Sequence, residues 1–273
     1  MQVNIQVEGQ RGLNWARWQK LVPAVEAFGF DGLFRSDHFV DANQPTQDSL
    51  ELWTSLTWLA GNTKRIQFGP LVSPVSFRHP VHTARMARDV DDLNGGRLVL
   101  GIGAGWGGGV LEHSMFGFDL LDTRERFIRW KEGLEVITRL LRSDIPVTFE
   151  GKYYQLQSAQ ILPHPTRRGG PSILIGGNGP KKVLEVAAQY GDEWNGIYRS
   201  PAQFRELNTQ LDDLLCKRGR DPRQVRRSQM KGLVLGQDQA DLDAKLSARQ
   251  KTDPRGQHLR QNPKILPTDG KEH

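Results

Sequence analysis

The sequence is poor in cysteine, with Cys216 the only one in 273 residues. A single cysteine excludes an intrachain disulfide and any metal site built from several thiolates. Cys216 lies within a predicted helical segment, 211–218. We therefore expect it to be a packed residue rather than a nucleophile.

Long apolar runs and concentrated charge are also absent. No run is long enough to cross a bilayer, and the N-terminus carries no apolar signal region, so we expect a cytoplasmic protein with no membrane partner. The 37 basic and 31 acidic residues give a formal charge of +6. That excess is dispersed rather than gathered in a basic run interleaved with aromatics, so no nucleic-acid partner is expected.

Two kinds of catalytic site find no support in the sequence. The Gly-x-Ser-x-Gly pattern of one large class of hydrolases is missing. Glu112 and His113 are adjacent potential ligands, but no third ligand follows at a suitable spacing, so no metal is assigned.

What the chain does contain is a repeated alternation of strand, loop and helix. Such units imply parallel strands with right-handed crossovers, and the length suits one barrel better than an open sheet. The seven predicted strands occupy 3–7, 32–36, 65–72, 98–103, 172–175, 191–195 and 230–235. The predicted helices cover 15–28, 50–60, 79–94, 127–141, 204–215 and 241–248, with one more beginning at Lys181. A hairpin insertion is predicted at 146–157, and Asp122 is a candidate helix cap with Glu125 three residues later.

The domain prediction is one α/β barrel over residues 1–250 that lacks its last strand–helix unit. No eighth strand and helix can be identified after Ala248. A barrel with an open edge exposes unpaired strand groups and loses stability. The segment 251–273 contains three prolines and many charges, and we expect it to be a poorly ordered or unrelated tail.

The glycine-rich stretch after Leu98 is the main candidate for a ligand site. A short Leu, Val and Ile run opens into alternating glycines at Gly101, Gly103 and Gly105. Glycines let a ligand approach the backbone, and α/β folds place ligands at the carboxyl ends of their strands. A tight turn without a ligand is the alternative explanation.

Other strand ends carry polar or glycine-rich segments. Asp37 and His38 follow the second strand, and His38 could donate a hydrogen bond or act as a general base, or else be satisfied by its neighbours. Gly176 to Gly179, followed by Lys181 and Lys182, joins a glycine loop to a helix N-terminus, which favours a phosphate group. The two lysines could equally be solvated surface charges, and this loop does not match the dinucleotide fingerprint.

Several segments together resemble the bacterial luciferase-like monooxygenase family, and within it the branch of coenzyme F420-dependent oxidoreductases. The resemblance extends to about Leu246 and rests on motifs that occur in order along the chain. These are Ser36–Phe39, Leu93–Trp106, Phe116–Phe118, Val147–Tyr154, Ile173–Pro180 and Gly191–Asn195.

The resemblance implies a TIM-type (β/α)8 barrel that binds a deazaflavin or FMN at its C-terminal mouth. It implies an enzyme that moves a hydride between coenzyme F420 and a small organic substrate, with His38 as the catalytic residue. It also implies a non-prolyl cis peptide at Leu71–Val72 behind the cofactor ring, and a homodimer formed through the second and third helices. The implied cofactor-contacting residues are Asp37, Leu71, Val72, Ala104, Gly105, Trp106, Gly176, Gly177, Asn178 and Gly179.

The chain departs from the family pattern in its glycine loop and, more seriously, in the missing eighth strand and helix, and two alternatives stay open. Gly107 to Val110 replace a short polar link, and Trp106 stands where relatives that oxidise glucose 6-phosphate have an acidic residue, which implies a different substrate. One alternative is an FMN-dependent monooxygenase on the same scaffold. The other is a truncated, non-catalytic relative that keeps only a dimerising or ligand-binding shell.

Overall fold

The fold combines parallel strands with helices, as the sequence predicts. A computed structural model describes residues 1–43, 45–105 and 109–252. The strands are β1 (Asn4–Val7), β2 (Gly32–Arg35), β3 (Gln67–Pro70), β4 (Ser73–Pro74), β5 (Val99–Gly103), β6 (Val147–Glu150), β7 (Gln155–Ala159), β8 (Ser172–Gly176), β9 (Glu193–Ile197) and β10 (Arg226–Met230). The helices are α1 (Trp15–Ala27), α2 (Leu52–Asn62), α3 (Pro80–Leu93), α4 (Val110–Phe116), α5 (Thr123–Arg142), α6 (Val183–Tyr190), α7 (Pro201–Lys217) and α8 (Gln239–Thr252), with a 3-10 turn at Pro222–Gln224.

Side-chain caps fix where several helices begin. The Asp122 carboxylate accepts the backbone N–H of Glu125 at 2.9 Å and starts α5, which confirms the predicted cap. Ser200 and Gln203 form a reciprocal capping box at the start of α7. Each cap satisfies N–H groups that the first helical turn leaves without an intrahelical partner.

The parallel strands form two sheets that meet at one point. One sheet has the order β1-β2-β3 and the other the order β10-β9-β8-β5-β4. A parallel bridge between Phe68 and Leu98 joins β3 to the start of β5. β6 and β7 pair antiparallel in a separate ribbon, which confirms the predicted hairpin.

The α/β class is confirmed, whereas strand pairing does not close a ring. Among the described residues, β1 pairs only with β2 and β10 only with β9. Central strands such as β2 and β5 are buried throughout, but every residue of β1 and β10 is half-buried or exposed. The arc of strands therefore has two open edges in the described part of the chain.

The core lies between the strands and the helices that cover them. Trp18, Trp130 and Trp194 are among its largest fully buried side chains. The indole N–H of Trp18 donates to the Ser55 carbonyl at 3.0 Å, which connects α1 to α2. Burying aromatic side chains of this size contributes several kcal/mol each, about 3 to 5 by comparison with truncation to alanine.

Four sequence predictions need correction or fall outside the described residues. The last strand is 226–230 instead of 230–235, and 110–116, predicted as part of a loop, is helical. Cys216 is exposed on α7 instead of packed. The predicted tail lies beyond the described residues except for 251 and 252, which end α8. Within the described residues no helix combines the length and the apolar character that a bilayer crossing needs.

Candidate functional site

The predicted site residues lie together at one edge of the strands. The carboxyl ends of parallel strands share an edge, so the segments after β2, β3, β5 and β8 come close to one another. Most of the predicted cofactor-contacting residues there are half-buried, as the surface of a concave site would be. They are Leu71, Val72, Ala104, Gly105, Gly176, Gly177, Asn178 and Gly179. Trp106 lies outside the described residues.

Three of the glycines make room for Val72. The Leu71–Val72 peptide is cis, as the resemblance implies. A Cβ on Gly101 or Gly176 would lie 3.0 Å from a Val72 methyl, and a Cβ on Gly103 would lie 2.7 Å from the other. At Gly101 a Cβ would also lie 2.1 Å from the Pro70 carbonyl oxygen. These glycines therefore allow close packing against Pro70 and Val72, whatever ligand binds above them. Gly105 has a φ of +81°, and a Cβ there would make only ordinary contacts, with Ser76 Oγ at 3.7 Å and Pro74 Cβ at 3.8 Å.

Asp37 is held in a buried ion-pair network. Its carboxylate accepts the Ser73 hydroxyl at 2.6 Å and both terminal nitrogens of Arg78. Arg78 also binds Glu51, which caps α2 by accepting the Thr54 N–H. The Asp37 side chain is only 4% exposed. These contacts anchor Asp37, and with it the segment that carries His38. A contact between the Asp37 carboxylate and a cofactor stays a prediction.

His38 pairs with a buried carboxylate of α4. Its Nδ1 lies 2.9 Å from Glu112 Oε2, and the Phe39 N–H donates to Glu112 Oε1. The His38 side chain is 29% exposed, while that of Glu112 is 5% exposed. Burial opposes protonation of His38, but the hydrogen bond and charge of Glu112, with the charges of Glu8 and Asp37, outweigh it and raise the pKa of His38.

Aromatic side chains cover the flank of this pair. The Phe39 ring lies 5.0 Å from that of Phe77 and 4.9 Å from that of Phe116, between ring centroids. Phe116 belongs to α4 and is partly exposed. The site next to His38 is therefore bordered by apolar surface.

The second glycine loop, after β8, is fixed by its neighbours after β9. Asn178 and Ile197 exchange two hydrogen bonds of 2.8 Å, and the Trp194 indole N–H donates to the Gly177 carbonyl. α6 begins just after this loop, at Val183. The loop thus lies at a helix N-terminus, a position that favours an anion, although the Gly177 N–H itself donates to the Asn195 carbonyl.

Two cations flank the glycine loops. Lys182, the residue before α6, places its ammonium 5.0 Å from the centre of the Phe127 ring. Next to Phe127, Arg126 approaches the Gly105 carbonyl at 3.4 Å, and its Nε is buried without a partner among the described residues. Both cations support an anionic group of a cofactor at this edge.

An unsatisfied acceptor lies in the middle of β9. Asn195 is 4% exposed and donates to the Ser228 hydroxyl, but its Oδ1 has no partner in the described part of the chain. Asn195 pairs in register with Gly176, at the start of the glycine loop. A buried acceptor left unpaired costs about 1 to 3 kcal/mol, so a ligand N–H would be stabilising there. The residues present therefore fit a cofactor with ring N–H donors and a phosphate.

Glu112 and Asn195 are site residues that sequence reasoning missed. Glu112 was considered only as a metal ligand, because the glycines before it indicate a loop. Its spacing from His38 in the sequence, 74 residues, gives no signal of their contact. Asn195 lies in the motif Gly191–Asn195, and it ends the predicted strand 191–195, although the structure places it in the middle of β9.

Comparisons with known proteins identify the family of this chain. The family model described as luciferase-like monooxygenase matches residues 2–268. The chain is 35% identical to the F420-dependent glucose-6-phosphate dehydrogenase of Kineococcus radiotolerans, over 62% of this chain and 48% of that protein. It is 33% identical to the 4-hydroxyprotoasukamycin monooxygenase of Streptomyces nodosus subsp. asukaensis, over 66% of this chain and 46% of that protein.

A solved structure shows the same fold. The F420-dependent secondary alcohol dehydrogenase in complex with an F420-acetone adduct superposes with a TM-score of 0.74 at 22% identity, over 84% of this chain and 68% of that one. The chain spans about half the length of the curated relatives it matches. Because the family model covers nearly all of the sequence, this chain belongs to the luciferase-like monooxygenase family.

Proposed function

We propose that the protein is an F420-dependent oxidoreductase whose reaction takes place at the strand-end edge beside His38. The observation that carries this proposal is the position of His38, a half-exposed imidazole paired with Glu112 at the same edge as both glycine loops. The names of the glucose-6-phosphate and secondary alcohol dehydrogenases support F420 as the cofactor.

The site residues divide into those that hold the cofactor and one that moves a proton. The loop from Gly176 to Gly179 and Lys182 would hold its phosphate, Asn195 Oδ1 would accept a ring N–H, and Leu71 and Val72 would lie behind the ring. A bound deazaflavin supplies a ring carbon that exchanges a hydride with the substrate. His38 Nε2 takes the hydroxyl proton as the substrate carbon loses its hydride, and returns it in the reverse direction.

Cofactor choice is tested by titrating the purified protein with oxidised F420 and, separately, with FMN. We expect saturable binding of F420, followed by fluorescence, and a raised melting temperature, because a ligand that prefers the folded state stabilises it. Selective binding of FMN would contradict the F420 proposal and support an FMN-dependent monooxygenase. A cooperative melt that neither ligand moves would support a non-catalytic relative.

His38 is tested in the same assay with His38→Gln. We expect F420 binding to persist and turnover with a secondary alcohol to fall about a hundredfold, because positioned proton transfer contributes at least that much. His82→Gln, at an exposed position of α3, is the matched control and should behave as wild type. Equal turnover of the His38 and His82 variants would show that His38 is not a catalytic residue.

We also propose that two copies of the chain associate through α1, α2 and α3. These helices border a cleft of about 610 Å³ whose lining includes Trp15, Trp53, Trp58 and Met86. The Trp15 ring lies 6.3 Å from that of Trp58 and is 38% exposed. An exposed apolar surface with several tryptophans is typical of a protein interface, where such residues contribute most of the affinity.

The dimer is tested by light scattering after gel filtration. The molar mass of the wild type should be twice that of one chain. Trp58→Glu should have the mass of a monomer, because dimerisation would bury its charge at the contact. Ile145→Glu, at a 71% exposed position away from the cleft, is the control and should leave the dimer intact. A wild-type monomer at every concentration would overturn the proposal.

A further inference from the structure

Glu112 is a buried carboxylate with one titratable contact. It is 4% exposed, and in the described part of the chain its oxygens contact only the His38 imidazole and the Phe39 N–H. No lysine or arginine there forms an ion pair with it. A buried charge needs a counter-charge, and His38 is the side chain placed to supply it.

The contact also decides which nitrogen of His38 is free. Nδ1 faces Glu112 Oε2, while Nε2 has no hydrogen-bond partner among the described residues. A carboxylate accepts hydrogen bonds and donates none when ionised, so Nδ1 must carry a proton. The lone pair of neutral His38 is then on Nε2, where a substrate proton can be taken up.

Glu112 holds the main chain beside His38 as well. Its second oxygen accepts the N–H of Phe39, so one carboxylate fixes both the ring and the backbone that follows it. The Ser49 hydroxyl donates to the His38 carbonyl at 2.7 Å, which anchors the same segment from the side of α2. Rotation of the imidazole away from the site would break the Nδ1 contact.

We propose that Glu112 is the positioning residue of the site: it fixes His38 in the form that carries a proton on Nδ1, and it stabilises the imidazolium once Nε2 is protonated. The effect of Glu112 on catalysis rests on the proposed function. The pairing of Glu112 with His38 does not, because it exists without any cofactor. Glu112 touches neither substrate nor cofactor in this scheme and acts through His38.

The direct test is nitrogen NMR of the histidines in the protein without cofactor, with His38 assigned by its loss in His38→Gln. Neutral wild-type His38 should show a protonated Nδ1 and a bare Nε2. In Glu112→Gln, which keeps the shape and an acceptor oxygen, the pKa of His38 should fall, because the opposite charge is gone. The remaining charges near the ring, Glu8 and Asp37, are unchanged in this variant, and Asp37 is paired with Arg78.

His113 is the internal control in the same spectra. It is the neighbour of Glu112 on α4 and is equally buried, but its nitrogens contact Ser76 and the Gly109 carbonyl. Its ring-nitrogen chemical shifts at a fixed pH should be the same in both proteins. A parallel change of His113 would mean that the substitution disturbs α4 as a whole, and would overturn the specific role of Glu112.

Stability against pH gives a second readout with a defined sign. Because the pKa of His38 is raised in the folded state, its contribution is fully present below the unfolded value of about 6.5 and is lost as pH rises through the folded pKa. Glu112→Gln should reduce that loss.

A wild-type His38 protonated on Nε2, or a pKa equal in wild type and Glu112→Gln, would overturn the proposal. The first result does not depend on the folding of Glu112→Gln, because it is measured on the wild type and assigned with His38→Gln. These measurements use no cofactor. A protein that binds neither F420 nor FMN but shows the expected titration would overturn the proposed function and leave the role of Glu112 standing. If F420 does bind, Glu112→Gln should lower kcat with little change in KM for F420 and shift the pH profile.

Discussion

Asp37→Ala is expected to lower the free energy of unfolding by about 3 kcal/mol, because it leaves the Arg78 guanidinium without its most buried partner. The Arg78 side chain is 14% exposed, so water cannot replace the lost carboxylate well. Glu51 still binds Arg78 at 2.7 Å, which places the expected loss at the lower end of the range for broken buried pairs. Urea denaturation, with the slope compared between variants, measures the change.

Two further variants test whether the loss of stability comes from the unpaired buried charge of Arg78. Asp37→Leu combined with Arg78→Met removes both charges and should recover part of the loss, because the uncompensated charge is gone. Lys245→Ala removes one partner of an exposed pair within α8 and should have little effect. A loss for Asp37→Ala no larger than that for Lys245→Ala would show that the network does not stabilise the fold.

Gly69→Ala is expected to destabilise the protein by about 3 kcal/mol or more, because the new methyl group has no space. A Cβ at Gly69 would lie 1.9 Å from the Val99 carbonyl oxygen, far inside the 3.0 Å below which Cβ contacts essentially do not occur. This oxygen belongs to the backbone of β5, so the clash cannot be relieved by rotating a side chain. β3 would have to separate from β5 where the two sheets meet, next to the bridge between Phe68 and Leu98.

Gly61→Ala is the matched control for this substitution. Gly61 lies in α2, and a Cβ there would meet nothing within 4 Å. Alanine is the better helix former by about 1 kcal/mol, so this variant should be as stable as wild type or more so. Thermal and urea unfolding of both variants give the comparison, and a Gly69→Ala protein as stable as Gly61→Ala would contradict the close approach of β3 and β5.

The parts of the fold that follow from local pattern were predictable. Alternation of apolar runs and glycine-rich turns gave the parallel strands and the hairpin, and Asp122 identified the start of α5 from the sequence alone. The site edge was predictable too, because strand ends carry His38 and both glycine loops. In each case neighbours in the sequence carry the signal.

Features decided by distant contacts were not predictable in this way. In α4 the buried residues are Glu112 and His113, while Val110 and Met115 are exposed, so hydrophobic periodicity gives no indication of the helix. β10 consists mostly of polar residues because it lies at an open edge, and the apolar stretch after it was predicted as the strand instead. The glycines of β5 suggested space for a ligand, but part of that space is occupied by Val72, which lies between β3 and β4.

The open edges of β1 and β10 affect how the protein behaves at high concentration. A strand with one unpaired side is a template for any other strand, including the same strand of another copy. The two arginines that begin β10 do not charge this edge strongly, because Arg226 pairs with Glu193 and Arg227 pairs with Asp212 within the chain. Little electrostatic repulsion therefore opposes the approach of a second copy along β10. Edge-to-edge association is expected to increase with protein concentration.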